Sequence, residues 1–351
     1  MTAPVPAWAA PSAKAPLAPH PITRREPGPR DVQIEILYCG VCHSDIHQVR
    51  DDWGGSIFPM VPGHEIVGRV TVVGADVSKF AVGDLAGVGC FVDSCHECDP
   101  CLRHLEQFCQ KGAAFTYNGT EMDRKTPTYG GYSTQIVVAE RYTLKVPSGL
   151  ELAAAAPLLC AGITTYSPLK RWKCAPDSRV GVMGLGGLGH MAVKLAASMG
   201  AEVTMLSTSR AKEADARRLG AHAFELTSEP QTFKKLAGRF DILIDTVSAE
   251  HDLNAYLGLL RTEGTMVCLG IPPTPAPVAV MSLIFGNKKL AGSLIGGIAE
   301  TQQMLDYCAS KKITADVEMI PIQKINEAYE RMLKSDVRYR FVIDIASLKG
   351  T

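Results

Sequence analysis

The stretch Arg179-Val-Gly-Val-Met183-Gly184-Leu185-Gly186-Gly187-Leu188-Gly189-His190-Met-Ala-Val193 decides how the second half of this chain folds. A short apolar run with β-branched residues reads as a buried strand. Three glycines at G-x-G-x-x-G spacing follow, and then a helical pattern, His190 to Met199, which Gly200 stops by taking the left-handed C′ conformation. In such a strand–turn–helix the first glycine makes the tight turn, the second lets a pyrophosphate approach the backbone, and the third packs helix against strand. A glycine turn alone can serve packing only. Flanked in this way, it points to dinucleotide binding.

Outward from this turn, apolar strands at Arg179–Met183, Glu202–Leu206, Asp241–Ile244 and Thr265–Leu269 alternate with helical stretches, one of them Ala211 to Leu219 stopped by Gly220. That alternation predicts a parallel sheet covered on both faces. Upstream, residues 31 to 150 carry short alternating segments such as Val32–Ile36 and Val67–Val72 between glycines and prolines, so this half is expected to be β-rich and irregular. Beyond residue 321 a helix, Ile325–Leu333, and a strand, Arg340–Ile343, are predicted without a place in either half. There is no internal repeat, and no low-complexity tract beyond the Ala/Pro-rich start.

In NAD-binding sheets a carboxylate at the end of the second strand bonds the ribose 2′-hydroxyl. Here that position reads Leu206-Ser207-Thr208-Ser209-Arg210, with Lys212 following. Hydroxyls and a guanidinium would accept a 2′-phosphate that a carboxylate would repel, so NADP(H) is expected over NAD(H). Ser207 or Ser209 could also cap a helix.

Two sets of metal-ligating residues stand out. Cys95, Cys98, Cys101 and Cys109 are spaced to close a tetrahedron of thiolates around Zn²⁺ from one loop, leaving no open position, which marks a structural site. An iron–sulfur cluster shares the first two gaps, but the third gap is too long for the ferredoxin pattern. Cys42, His64 and Cys160 are dispersed. Together they would make a catalytic zinc with a fourth position for water or substrate, whereas singly each residue is a candidate for the core.

Composition agrees with a small-molecule enzyme of two domains. The 351 residues suffice for two cores, and Lys+Arg and Asp+Glu balance at 36 each, so neither nucleic acid nor an acidic partner is indicated. No apolar run has the length of a membrane span. Eleven clustered cysteines favour metal binding in a reducing compartment, and the Ala/Pro-rich start lacks the features of a secretory signal, so the cytoplasm is expected.

In order along the chain, Cys42-His-Ser-Asp-Ile-His47, Gly63-His64-Glu65, the four-cysteine loop, Leu159-Cys160-Ala-Gly162 and Gly184–Gly189 resemble the zinc-dependent medium-chain dehydrogenase/reductases. The resemblance is strongest to the cinnamyl-alcohol-dehydrogenase-like group, which includes bacterial NADPH-dependent aldehyde reductases. It implies an α/β fold: a GroES-like β-rich catalytic domain over residues 1–155, a Rossmann doubly wound parallel sheet over 156–293, and a return to the catalytic domain over 294–351. It also implies two Zn²⁺ per chain and a homodimer joined through the Rossmann halves, for which the apolar Ile271–Ile284 segment could supply a pairing edge.

By the same resemblance Cys42, His64 and Cys160 hold the catalytic zinc, Asp45 orients the His64 imidazole, and Glu65 is a carboxylate able to approach the metal. Ser44 would touch the substrate oxygen, with the proton relayed through the cofactor ribose to His47. For Ser44 and Asp45 the plainer alternative is helix capping. His43 would lie near the cofactor pyrophosphate and Thr164 against the nicotinamide, with Thr246, Gly270, Ile271, Ser293 and Ile295 completing the cofactor contacts. Trp53, Phe115 and Leu294 correspond to apolar pocket positions. The implied activity is reversible reduction of aromatic and aliphatic aldehydes to primary alcohols; a non-catalytic zinc-stabilised dinucleotide-binding protein is the alternative.

Overall fold

The computed structural model describes residues 4–350, the side chains of 349 and 350 excepted. The chain divides into two compact units, one formed by residues up to 160 together with those from 296 onward, the other by 161–295.

The first unit is built on a sheet in the order Leu144–Lys145, Leu85–Val88, Ile66–Val73, Asp31–Gly40, Arg340–Asp344, Val317–Pro321, with Gln135–Ala139 also paired to Asp31–Gly40. The central strand alternates as its sequence requires: Val32, Ile34 and Ile36 are buried on one face. The strand from the far end of the chain, Arg340–Asp344, joins it antiparallel with Val342 opposite Gly40 and Asp344 opposite Tyr38. This register sets Arg340 beyond the end of the central strand, where Val41 N–H bonds the Phe341 carbonyl at 2.9 Å. The pattern alone gave the last strand no place; sheet pairing does.

The central strand runs directly into the helix His43–Arg50, whose N-cap is Cys42. Neither Ser44 nor Asp45 is the N-cap residue, since both lie inside the first turn, but Asp45, at N3, takes part in capping by reaching back to accept the Cys42 amide at 2.8 Å.

The second unit is a six-stranded parallel sheet in the order Ala223–Leu226, Glu202–Ser207, Arg179–Met183, Phe240–Asp245, Leu260–Cys268, Lys289–Gly292. Its strands are apolar on both faces because helices cover both; Phe240, Leu243, Leu257 and Met266 lie at the centre of one such layer. The helix after the glycine turn spans Gly189–Ser198, and Gly200 and Gly220 adopt φ of +90° and +110° where helices end. The predicted Ala211–Leu219 helix is a 3₁₀ turn, Arg210–Lys212, followed by a helix over Glu213–Arg218. Ser209 precedes the 3₁₀ turn without a side-chain cap.

The Ile271–Ile284 segment contains no strand: its prolines deny it ladder donors, and it ends in one helical turn, Met281–Ile284. Among the described residues no single helix is long and apolar enough to cross a membrane.

Candidate active site and metal centres

Cys42 follows the central strand of the first unit as N-cap of the helix His43–Arg50, His64 and Glu65 precede the neighbouring strand Ile66–Val73, and Cys160 follows the buried turn Ala156–Leu159. Each is buried, and one donor atom from each of the four lies within 4.8 Å of the others. The Cys42 and Cys160 sulfurs are 3.9 Å apart. Two thiolates on a tetrahedral zinc with bonds of about 2.3 Å stand about 3.8 Å apart, so the donor set fits the metal. His64 Nδ1 faces Asp45 Oδ1 at 3.2 Å. A carboxylate only accepts, so Nδ1 carries the proton and Nε2 is left for a metal.

Asp45 has no exposed surface and is held from several sides. Besides His64 and the Cys42 amide it accepts from Gly63 N–H at 3.2 Å and the Tyr132 hydroxyl at 3.3 Å. Glu65 Oε1 pairs with buried Arg340, while Oε2 has no hydrogen-bond partner and abuts Gly40, where any Cβ would come within 1.9 Å. Burial pushes the Glu65 carboxyl up to about 7 against the pull of Arg340. The hydrogen bond from Cys160, aided by Arg340 and His64, holds the Cys42 thiol well below its usual value despite burial. The pocket thus favours thiolate at Cys42, the form a metal requires.

Ser44 presents its hydroxyl 3.6 Å from the Cys42 sulfur, on the first turn of the same helix. One turn on, His47 Nδ1 faces Asp52 Oδ2 at 2.9 Å and its ring stacks on Trp53 at 5.0 Å between centroids. His43 is packed against the Met332 backbone, and burial lowers its pKa. Trp53, Phe115 and Leu294 are all substantially exposed.

The four-cysteine loop brings Cys95, Cys98, Cys101 and Cys109 within the same 4.8 Å limit. Cys98 and Cys101 sulfurs are 3.4 Å apart and Cys95 and Cys101 sulfurs 3.9 Å. The amides of Cys95 and Gln110 donate to the sulfurs of Cys109 and Cys98 at 3.4 and 3.5 Å, which stabilises thiolates. Four sulfurs with amide donors and no carboxylate among them suit a closed zinc site.

In the second unit Gly184 has φ +83°, and a Cβ at Gly189 would lie 1.9 Å from the Gly184 carbonyl, so helix and strand meet there only through glycine. A Cβ at Gly186 would meet nothing within 4 Å. That open backbone is the cradle a pyrophosphate needs, with Gly187 and Leu188 leading into the helix N-terminus. At the end of the second strand Ser207 Oγ accepts the Ser209 amide at 3.2 Å, Lys212 Nζ donates to the Leu185 carbonyl at 3.1 Å, and Arg210 is exposed beside Glu213 and Glu229. Thr208 is exposed between them. Thr246 Oγ1 donates to the carbonyls of Met183 at 2.7 Å and Gly184 at 3.1 Å. Gly270 packs against the Val247 backbone, Ser293 N–H bonds the Cys268 carbonyl at 3.3 Å, Ile271 is exposed, and Ile295 has φ +37°. Thr164 is buried in the helix Ala161–Arg171.

Family models match both units: the alcohol dehydrogenase GroES-like domain over residues 28–148 and the zinc-binding dehydrogenase domain over 187–310. The chain is 57% identical over 347 residues to the NADP-dependent alcohol dehydrogenase C 1 of Mycolicibacterium smegmatis, covering 99% of each. It is 55% identical over 339 residues to the aldehyde reductase YahK of Escherichia coli, covering 96% of this chain and 97% of that one. A cinnamyl alcohol dehydrogenase from Sorghum bicolor superposes with a TM-score of 0.95 at 44% identity, covering 98% of each chain. The chain belongs to the zinc-dependent medium-chain dehydrogenase/reductases, in the cinnamyl-alcohol-dehydrogenase-like group.

In this dehydrogenase the sequence reading missed three neighbours of the dispersed metal set. Arg340 had been read only as the start of a strand. A charged residue heading an otherwise buried strand must find a counter-ion, and that was the available signal. Tyr117 stacks on the His64 ring at 5.7 Å, and Cys90 bonds the Leu159 carbonyl at 3.8 Å beside Cys160. Nothing in the local sequence marks either residue.

Proposed function

We propose that this chain is an NADPH-dependent aldehyde reductase and reversible primary-alcohol dehydrogenase with two zinc ions, accepting aromatic and aliphatic aldehydes. The observation that carries the reading is the buried Cys42, His64 and Cys160 set with Asp45 behind the imidazole, in a chain whose relatives are named as NADP-dependent alcohol dehydrogenase and aldehyde reductase. When bound, zinc supplies a Lewis acid for the carbonyl oxygen and NADPH supplies the hydride. Ser44 donates its hydroxyl proton to the substrate oxygen as charge develops there. His47, held by Asp52 and Trp53, forms the outer end of the relay to solvent. Asp45 holds the His64 tautomer, and Arg340 keeps Glu65 compensated beside the metal donors.

The Ser207, Thr208, Ser209, Arg210 and Lys212 loop reads the 2′-phosphate, since no carboxylate stands at the strand end. The clustered, metal-suited spacing of Cys95, Cys98, Cys101 and Cys109 supports a reducing compartment such as the cytoplasm. A homodimer is supported by the apolar surface of Val280, Met281, Ile284 and Phe285, each more than half exposed. A single-chain mass at all concentrations in sedimentation would reject it.

The test of the activity is a panel of aromatic and aliphatic aldehydes scored by kcat/KM with NADPH and with NADH on zinc-loaded protein. Turnover with NADPH preferred is expected. NADPH binding without turnover of any aldehyde would leave the non-catalytic alternative.

A further inference from the structure

A second histidine–carboxylate pair lies in the dinucleotide unit, away from both cysteine sets. Asp245 ends the strand Phe240–Asp245, and six residues on the chain returns so that His251 Nε2 faces Asp245 Oδ2 at 3.0 Å. Their side chains are 3% and 14% exposed. The other ring nitrogen, Nδ1, faces the Ala249 carbonyl at 2.8 Å. A carbonyl can only accept, so Nδ1 bears a proton. The contact between Nε2 and the carboxylate is then a hydrogen bond only if one further proton lies between them, as imidazolium with carboxylate or imidazole with carboxylic acid. Without it a ring lone pair opposes a buried carboxylate.

The turn this pair fastens is the junction of the nucleotide unit. Asp245 Oδ1 accepts the Val247 amide at 3.0 Å, and the Asp245 carbonyl accepts the amides of Leu269 and Gly270 at 2.9 and 3.2 Å. Thr246 bonds the Met183 carbonyl through its amide at 3.1 Å and grips the glycine turn through its hydroxyl. A Cβ on Gly270 would lie 2.2 Å from the Val247 carbonyl oxygen. Asp245, Thr246 and Val247 therefore lock the glycine turn to the Gly270 turn.

We propose that His251 and Asp245 form a proton-dependent positioning pair for the NADP(H) cradle, tightening cofactor binding while the shared proton is present and loosening it as pH rises. The proposal rests on the cofactor reading above. The other ionisable groups facing the pair do not substitute for it. Cys268, from the adjacent strand, has its thiol pushed up to about 11 by burial, and Tyr256, edge-on to the His251 ring at 5.7 Å from the following helix, has its phenol raised by burial. Glu250 and Asp252, in the same loop, accept from Thr274 at 2.6 Å and the Asn254 amide at 2.9 Å. Burial likewise raises the Asp245 carboxyl, with the Val247 amide and His251 opposing it. A cleft of about 450 Å³ lined by Glu250, His251, Asp252, Pro272 and Thr274 lets water reach the pair.

The test is the NADPH dissociation constant of the zinc-loaded enzyme, by nucleotide fluorescence, from about pH 7, where the 2′-phosphate is already largely dianionic, to about pH 9, beyond the ordinary histidine range. Wild-type affinity should fall by roughly tenfold, the worth of a charge-assisted hydrogen bond. His251→Gln places an amide donor against Asp245 at every pH, and Asp245→Asn donates to the neutral ring while still accepting the Val247 amide. Both should flatten the profile. His251→Ala should weaken binding at about pH 7 and converge on wild type at about pH 9, whereas a merely structural role would shift affinity by a constant factor without changing the slope. A pH-independent wild-type affinity, or one profile shared by wild type and both conservative variants, overturns the proposal. Failure of wild type to bind NADPH at any pH overturns the cofactor reading as well.

Discussion

The two cysteine-rich regions of the first unit use the same donor chemistry in opposite ways. In the Cys95–Cys109 loop all four thiols come from one short stretch, two of them only partly buried, and backbone amides of the loop itself face the sulfurs. In the Cys42, His64 and Cys160 set the two sulfurs are separated by 118 positions in sequence, every donor is buried, and charged groups are needed around them: Asp45 behind His64, and Arg340 against Glu65. A local site leans on its metal to hold the loop, because metal binding there is coupled to the loop's folding. A dispersed site is assembled by the sheet and must instead settle its own buried charge. Metal removal should therefore unfold the first region and silence the second.

The largest expected effect is that of Cys160→Ala. Turnover should drop below detection, by more than about a thousandfold, with one zinc lost and melting temperature little changed. A matching collapse in stability would erase the distinction between the regions. Next is Arg340→Met, which strands Glu65 as a buried charge without a partner and should destabilise the fold by about 3–5 kcal/mol in denaturant titration. Adding Glu65→Gln to that variant should recover part of the loss; no recovery would mean that the ion pair is not what Arg340 contributes.

Ser44→Ala keeps all ligands and removes only the hydroxyl. Zinc content and NADPH affinity should persist while kcat for aldehyde reduction falls by about 10²-fold. Near-normal reduction with zinc bound would assign the proton to another route. Cys98→Ser should have the least effect on chemistry: the closed-site zinc is lost and melting temperature falls, but kcat per folded molecule should stay within a factor of about three of wild type. A kcat loss as deep as that of Cys160→Ala would show that the two regions are not separable.

These contrasts also explain what could be read before the fold was known. The glycine turn and the four-cysteine loop announce themselves because their chemistry is local: a tight turn, an open backbone at Gly186 and a thiolate tetrahedron are each written in a few consecutive residues. Cys42, His64 and Cys160 were legible only through motif order, since spacing alone left each of them a candidate for the core. Capping stood as the alternative for Ser44 and Asp45 because both are good N-cap residues; Cys42 takes the N-cap position itself, and Asp45, at N3, closes the capping box. The Ile271–Ile284 segment looked like an edge strand by apolarity, but its prolines leave it as loop and one helical turn.

Sequence by itself determined the alternating strands of the dinucleotide sheet, the glycine turn, the absence of a carboxylate at Ser207 and the grouping of four cysteines, because each depends on periodicity or on neighbours within a few residues. Tertiary structure alone decided that Arg340 meets Glu65, that Asp45 gathers donors from Cys42, Gly63, His64 and Tyr132, and that His251 folds back onto Asp245. Long-range strand pairing and the burial of charge set those contacts. Arg340 and Glu65 lie 275 positions apart, and only the antiparallel pairing of the last strand with the Tyr38–Gly40 end of the central one brings a guanidinium to a carboxylate that burial would otherwise leave uncompensated.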